Sequence, residues 1–399
     1  MSHRILITGA GIGGLAAALA CARHGMQVTV LEAAKEFGEV GAGIQLGPNA
    51  MKVLAALGLL KDVLQQACLP QSIVMIDAES GKHISRILLG DAVREKYGQV
   101  YASMHRADLH AILLCAARAA GVQLETDTAL LKYEHSAQSV CRLDADLSYK
   151  SDVLIGADGL WSKVREQMLA DGAPRATGHA AFRALVPKAA LPEALRTPHV
   201  RTWWARDVHV VSYPIRQQSG DTSLWNLVVL AEMPSANESG WALKASHSDV
   251  MQLFKRTEPE LQALLEAGGA QQQGWKRWNL FDRQPLGASQ MVDQRFGRVA
   301  LLGDAAHPML PYLAQGAAMA LEDAWVLAKC LSSHAQVPLA LQAYAAQRAN
   351  RNARVVQTAR RNGRIFHLSG AMALARNTVL AVQGTSVLGM PWLYGCDVT

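Results

Sequence analysis

The feature that most constrains this chain lies at its start. An apolar run from Arg4 to Thr8 meets Gly9-Ala10-Gly11-Ile12-Gly13-Gly14, and an Ala/Leu-rich segment at helical spacing, Leu15 to Arg23, follows at once. A second β-branched run, Gln27 to Leu31, ends in Glu32. The pattern predicts a strand–helix–strand unit of the usual ~30 residues. Gly9, Gly11 and Gly14 satisfy G-x-G-x-x-G after a strand and at the opening of a helix, the context that gives the pattern meaning. The first glycine permits the tight turn, the second lets backbone N–H groups approach a pyrophosphate, and the third lets helix and strand pack closely. The positive end of the helix dipole adds to the attraction for phosphate. Glu32 stands where a carboxylate accepts hydrogen bonds from ribose hydroxyls and repels a 2′-phosphate. A dinucleotide site is therefore expected. The motif does not separate FAD from NAD, because both present an ADP-ribose.

With 399 residues the chain has room for two or three domains. Half its residues are hydrophobic and 18% are charged, which excludes a disordered chain. The cysteines Cys21, Cys68, Cys115, Cys141, Cys330 and Cys396 form no C-x-x-C pair. Cys21 and Cys115 fall in stretches that read as buried helix, so reduced structural thiols and a cytoplasmic setting are expected. The opening strand leaves no space for a signal peptide. The tail from Ser369 to Tyr394 is interrupted by Arg376, Asn377, Gln383 and Pro391 and is too broken to span a bilayer. Arg348, Arg351, Arg354, Arg360, Arg361 and Arg364 crowd one stretch free of acidic residues, which reads as a solvated helix face. Aromatic residues are not interleaved there, so nucleic acid is not an expected partner. A monomer or homodimer is expected.

Further along, Asn49 to Leu57, Leu60 to Gln66 and Asp108 to Ala120 read as helices. Ile73 to Ile76 reads as a strand with Gly81 to Leu89 as its hairpin partner, and Val153 to Gly156 as a buried strand. Between His179 and Arg283 the texture turns sheet-like, in Thr202 to Trp204, Val208 to Pro214 and Leu224 to Leu230, with a turn over Gln217 to Thr222. Ser248 to Glu266 returns to helical periodicity, Arg298 to Leu302 is another buried strand, and helix is expected almost throughout after Ala314. The plan is α/β: a nucleotide-binding domain interrupted by a β-rich insertion and followed by a helical tail.

Two more segments separate flavin from nicotinamide. One is Gly156-Ala157-Asp158-Gly159, with Ser162 and Arg165 behind it. The other is Gly303-Asp304-Ala305-Ala306-His307-Pro308, followed by Ala314-Gln315-Gly316 and Glu322-Asp323-Ala324. Here the chain resembles the class A FAD-dependent aromatic hydroxylases, in the branch holding salicylate hydroxylase, 3-hydroxybenzoate 6-hydroxylase and 6-hydroxynicotinate 3-monooxygenase. The resemblance runs from Ile5 to about Arg348. It implies a Rossmann-like FAD-binding domain of the GR2 type (1–75, 100–177 and 285–345), a β-sheet-rich substrate domain (76–99 and 178–284) and C-terminal helices (346–399). It implies tightly bound FAD, transient NADH or NADPH, and hydroxylation through a C4a-hydroperoxyflavin. The glycine loop would bind the ADP part, Arg106 would contact FAD, Asp158 and Gly159 would serve FAD and the nicotinamide, and Gly303-Asp304 would meet the ribityl chain. That last role is chemically apt, since a carboxylate after a buried strand can accept from the hydroxyls of a linear sugar alcohol. A helix starting near Leu313–Gln315 would point its positive end at the flavin pyrimidine ring.

In Val208-His209-Val210-Val211-Ser212-Tyr213-Pro214 the strand alternation puts His209, Val211 and Tyr213 on one face. A histidine and a tyrosine on an apolar face each need a partner when buried. By resemblance they line the substrate site, His209 as proton acceptor and Tyr213 as a hydrogen-bonding partner of the phenolate, because a phenolate is the better nucleophile. Pro308, Gln315 and Gln45, the last in Gly41-Ala42-Gly43-Ile44-Gln45, are expected against substrate or flavin. The 6-hydroxynicotinate enzymes carry His at the Gln45 position, which counts against that substrate. Leu310-Pro311 before Tyr312 looks more like the salicylate hydroxylases than the Thr-Gln of the 3-hydroxybenzoate enzymes. A small phenolic acid and O2 are the expected partners, with a heteroaromatic or natural-product substrate as the alternative. Arg183, Arg201 and Arg216 are all candidates to receive the carboxylate. Trp203 and Trp204 are expected to pack.

Overall fold

The strand Arg4–Thr8 buries every residue after its first, so both its faces must be covered. It lies inside a five-stranded parallel sheet in the order Val299–Leu301, Val153–Gly156, Arg4–Thr8, Gln27–Leu31, Gln123–Glu125. The computed structural model describes residues 3–38, 43–143, 148–217, 220–234, 243–271, 274–383 and 390–399. Gly41-Ala42 and positions 218–219 of the expected turn lie outside the described residues.

The strands end flush. Thr8 stands opposite both Leu31 and Gly156, and Gly156 opposite Leu301. Gly9, Glu32, the Asp158 segment and the Gly303 segment therefore leave the same edge of the sheet, although nearly 300 residues of chain separate the first from the last. In a parallel sheet this carboxyl edge is where ligands bind. Helix Ile12–Arg23 covers one face with Gly316–Ser333 beside it, and the long helix Val337–Phe366 packs along the latter.

A second, eight-stranded sheet runs in the order Leu243–Ala245, Trp275–Asp282, Arg175–Pro187, Gly220–Glu232, Val208–Gln217, His199–Ala205, Ser72–Asp77, His83–Leu88. All its pairs are antiparallel except His199–Ala205 with Ser72–Asp77. One face carries Phe182, Trp203, Val210, Leu227 and Val229 and packs on Leu261, Leu264 and Leu265 of helix Pro259–Gly269. The alternate residues face the parallel-sheet side, where a ribbon of Gly43–Leu46 and Ala102–His105 bridges the two sheets. Ser103 donates to the Pro214 carbonyl at 2.7 Å, and Asn226 accepts from the Gly43 N–H at 2.8 Å. Gly43 is needed at this crossing, since a β-carbon there would lie 2.6 Å from the Tyr213 ring.

Three expectations are corrected. The helix expected over Ser248–Glu266 is two helices, His247–Met251 and Pro259–Gly269. Pro259 has no N–H to continue a helix and instead starts one, with the Glu258 side chain accepting from the Glu260 and Leu261 N–H groups. Cys115 lies on the exposed side of helix Arg106–Ala119, whereas Cys21 is fully buried and its thiol is pushed up to about 12 by desolvation. The arginine-rich stretch is not a uniformly solvated face. Arg348 is 1% exposed, Arg351 grips Glu322 and the Trp392 and Leu393 carbonyls, and Arg360 reaches Asp282. Arg354, Arg361 and Arg364 are the exposed ones. Among the described residues no single helix is long and apolar enough to cross a membrane.

The centre of this network is Asp323, which is fully buried. Its carboxylate accepts from Arg348 Nε at 2.7 Å, His307 Nε2 at 2.5 Å, Asn352 Nδ2 at 3.0 Å and the Gly303 N–H at 3.2 Å. The neighbouring charges hold its pKa well below the ordinary carboxylate range against the opposing cost of desolvation. Asp323→Ala would strand the buried Arg348 charge and is expected to cost about 3–5 kcal/mol. A urea titration monitored by circular dichroism checks this. Because the folded pKa is depressed, the contribution is complete above the unfolded aspartate value of ~3.9 and is lost as pH falls below it. The difference between wild type and variant should therefore shrink in acid.

Candidate active site

At the carboxyl edge the glycine turn is tight. Gly9 has φ +94°, and a β-carbon on Gly14 would lie 1.9 Å from the Gly9 carbonyl oxygen. No side chain caps helix Ile12–Arg23, so its first N–H groups are available to a phosphate. Glu32 is held in place by the backbone N–H groups of Ala10 at 2.8 Å and Ala34 at 2.9 Å. Each of its oxygens keeps a further lone pair for a ribose hydroxyl.

Asp158 serves the protein itself. It accepts from Ser162 Oγ at 2.6 Å and from the N–H groups of Lys163 and Val164, and so holds the start of helix Lys163–Leu169. Desolvation nevertheless raises its pKa. Gly159, at φ +74° with open space around it, is the part of that segment a ligand can approach. Asp304 differs: its carboxylate is exposed and has no hydrogen-bond partner among the described residues.

Beside Asp304 begins the 18-residue helix Gly316–Ser333, and no side chain caps its N-terminus. Gln315 is buried at the cap position and accepts from Asn49 Nδ2 at 3.0 Å. Asn49 Nδ2 also donates to Glu322, while Asn49 Oδ1 is buried with no partner among the described residues. Ala314, just before the cap, has φ +52°, a left-handed conformation that costs an alanine about 1–2 kcal/mol. Strain of this kind collects where backbone is aimed at a ligand. Pro308 is buried in the same loop. These parts suit FAD: a phosphate turn, a ribose acid, a free carboxylate for the ribityl hydroxyls and an uncapped helix end for an electron-rich ring edge.

Opposite this edge stands the face of the large sheet. Leu310 and Tyr312, from the loop after His307, pack on Ala181, Val228 and Leu230. His209 and Tyr213 share this face as expected, but four residues of strand place their Cα atoms roughly 13 Å apart. They mark two ends of one wall.

At the first end His209 is 1% exposed, and its Nδ1 lies 3.0 Å from His367 Nε2. The Tyr312 and Phe366 rings flank it at 5.2 and 5.4 Å. Tyr312 Oη lies 2.7 Å from His179 Nδ1. Burial, reinforced by the neighbouring His367 and His179, pushes the His209 pKa well below its ordinary value, so the ring is neutral at neutral pH.

At the other end Tyr213 is buried against Gly43, Gln45 and Asn226. Gln45 accepts from the Tyr101 hydroxyl at 2.8 Å. Desolvation raises the Tyr213 pKa and Arg183 partly offsets it. Arg183 lies two strands away on Arg175–Pro187, beyond Gly220–Glu232, its guanidinium 5.3 Å from the centre of the Trp278 ring. Its Nε is buried with no acceptor among the described residues, and so is Asn226 Nδ2. Burial lowers the Arg183 pKa, and Arg106, at the start of helix Arg106–Ala119, adds to the effect. The other candidate arginines are occupied: Arg201 donates to the Ala194 and Leu195 carbonyls and Arg216 to that of Gln65. Trp203 is core and donates to Glu258, and Trp204 stacks on Phe366 at 4.6 Å.

Sequence reasoning missed Asn49, His179, Asn226, Glu232 and His367. None sits in a motif. His367 follows a long helix and carries no local sign that it folds back onto a strand some 160 residues earlier in the chain.

Comparison with known proteins agrees with this geometry. The family described as FAD binding domain matches residues 2–359. A 3-hydroxybenzoate 6-hydroxylase of Polaromonas naphthalenivorans is 40% identical over 399 residues, 99% of this chain and 96% of that one. Among solved structures, Klebsiella pneumoniae HpxO in complex with FAD and uric acid aligns with a TM-score of 0.83 at 27% identity, over 97% of this chain and 94% of that one. A salicylate hydroxylase substrate complex aligns with a TM-score of 0.81 at 25% identity, over 100% and 96%. With the glycine turn, the free carboxylate of Asp304 and the uncapped helix converging on one cleft, the chain belongs to the class A FAD-dependent aromatic hydroxylases.

Proposed function

We propose that the chain uses NADH or NADPH and O2 to hydroxylate a monohydroxybenzoate, with 3-hydroxybenzoate the first substrate to test. The observation that carries this reading is the two-ended wall. A buried neutral imidazole stands at one end; Asn226 Nδ2, beside Tyr213 at the other, and Arg183 Nε, two strands across from Val211, are buried donors without acceptors among the described residues. A ring bearing a hydroxyl and a carboxylate satisfies both ends at once. The relatives named 3-hydroxybenzoate 6-hydroxylase support the choice of acid. We infer a cytoplasmic setting from the need for NAD(P)H.

Bound FAD supplies the electrons taken from NAD(P)H and the activation of O2. The chain's own residues do the rest. Gly9 to Gly14 and Glu32 would hold the adenine end, with Arg106 and Gly159 contributing, and Asp304, Gln315 and the start of helix Gly316–Ser333 would hold the ribityl chain and the flavin. Pro308 closes the side facing substrate. Arg183, with Asn226 and Tyr213, takes the carboxylate through charge-assisted hydrogen bonds and fixes the ring. Gln45 keeps Tyr213 in place. His209 Nε2 accepts the phenolic proton and raises the electron density of the carbons ortho and para to the oxygen. Attack para to the hydroxyl of 3-hydroxybenzoate gives a 2,5-dihydroxybenzoate.

The pair Leu310-Pro311 favours a second reading, salicylate with attack at the carboxylate-bearing carbon. Mass analysis separates the two, because only the second releases carbon dioxide. The purified protein should be yellow and should oxidise NAD(P)H faster when the correct acid is present. A flavin-loaded protein stimulated by no hydroxybenzoate would overturn the reading.

Two variants test the ends separately. His209→Gln is expected to lower kcat by ~10²–10⁴-fold with flavin content unchanged. Arg183→Met is expected to weaken 3-hydroxybenzoate binding by about 30-fold or more, the cost of removing one partner of a buried charged pair. It should leave the weak binding of phenol itself nearly unchanged, as measured by flavin absorbance titration.

A further inference from the structure

A base that is 1% exposed must return its proton to water before it can act again, and so needs a path through neighbouring groups. Behind His209 the structure shows a chain of hydrogen bonds. His209 Nδ1 lies 3.0 Å from His367 Nε2, and His367 Nδ1 lies 3.0 Å from Glu232 Oε1. The Glu232 side chain is 41% exposed. Three separate elements supply these groups: the strand Val208–Gln217, the residue that caps helix Val337–Phe366, and the last residue of the strand Gly220–Glu232. Backbone bonds from the His367 N–H to Gly363 and from the Asp207 N–H to the His367 carbonyl hold the middle imidazole in place.

The proton positions follow from the outer end. A carboxylate only accepts, so His367 Nδ1 carries the proton it donates to Glu232. A neutral His367 then accepts at Nε2, and His209 must donate from Nδ1. That leaves the lone pair of His209 on Nε2, which has no partner among the described residues. An exposed acid thus dictates that an interior imidazole presents a base. The other ionisable groups facing the chain are His179, stacked at 6.1 Å on His367, Tyr312 beside His209, and Asp207 near His367. The ligand atoms of His179, Glu232 and His367 lie within 4.8 Å of one another, but His179 already bonds Tyr312 and His367 already bonds Glu232. The cluster is satisfied without an added ion.

We propose that His209, His367 and Glu232 form a proton exit from the substrate cleft to solvent. It rests on the reading of His209 as the base. The substrate O–H bond breaks and its electron pair stays on oxygen as the phenolate. The proton joins His209 Nε2, the Nδ1 proton of His209 passes to His367 Nε2, and the Nδ1 proton of His367 passes to Glu232 and then to water. One proton leaves in net and no electron moves. Returning a proton to the product oxygen runs the chain backwards and restores every tautomer. His367 and Glu232 act through His209 and touch no substrate.

The test uses the full FAD-loaded protein in its oxidised state, so turnover plays no part. A nitro-substituted 3-hydroxybenzoate, whose phenolate is coloured, is mixed with the protein at a pH below the free probe's own pKa. Phenolate formation is followed by stopped-flow absorbance, and proton release by an indicator dye. Wild type should ionise the probe and release a proton at the same rate. His367→Gln keeps hydrogen-bonding groups but cannot shuttle a proton, and Glu232→Gln alters an exposed position that threatens folding little. Both should ionise the probe about 10–100-fold more slowly while binding it with affinity within about threefold of wild type. Ionisation and proton release at the wild-type rate in both variants would overturn the exit. A wild type that binds the probe without ionising it would instead remove His209 as base, and the exit with it.

Discussion

One carboxylate carries much of this architecture. Asp323 is fully buried and accepts four hydrogen bonds, two from helix Val337–Phe366, one from a histidine and one from the backbone at Gly303. A buried charge is tolerated only when its lone pairs are filled, and here each donor comes from an element that must be in register for the cleft to exist. Glu322, one residue earlier, points the other way and ties Arg348, Arg351 and Asn49 together. The adjacent acids thus clamp the Gly303–Pro308 loop on one side and the Asn49–Gln315 pair on the other. The free carboxylate of Asp304 stays open to a ligand because its neighbours are fixed by a different acid.

The cleft is a meeting of two sheets with opposite habits. The parallel sheet contributes strand ends, where glycines, helix termini and isolated acids collect. The antiparallel sheet contributes a face, where every second side chain projects toward the cofactor side. A strand end is suited to gripping a phosphate or a sugar hydroxyl through backbone. A face is suited to spacing side chains at fixed intervals, and four residues of strand hold the Cα atoms of His209 and Tyr213 roughly 13 Å apart. Both demands are met because the Gly43–Leu46 ribbon pins one sheet to the other through Asn226 and Pro214.

What could be read from the residues alone was whatever is written locally. The glycine turn and Glu32 are spaced by a single strand–helix–strand unit, so their partnership shows in the chain itself. The buried runs at Val153 and Val299 were legible for the same reason. The fate of the six arginines was not. A stretch without nearby acids looks solvated, yet Glu322 and Asp282 reach Arg348, Arg351 and Arg360 from distant parts of the chain. Choosing Arg183 over Arg201 and Arg216 needed to know which guanidinium lacks an acceptor, a property of packing alone. His367 was hidden most deeply, since a histidine after a helix carries no pattern.

The fastening of the last residues has a practical side. Arg351 holds the carbonyls of Trp392 and Leu393 at 2.9 and 3.0 Å with the same guanidinium that grips Glu322. Tyr394 lies against Gly47, at the turn leading into the helix that bears Asn49. The carboxyl terminus is therefore sewn into the structure behind Asn49 and Gln315. An affinity tag or fusion partner joined at this end would pull directly on the turn that leads to Asn49.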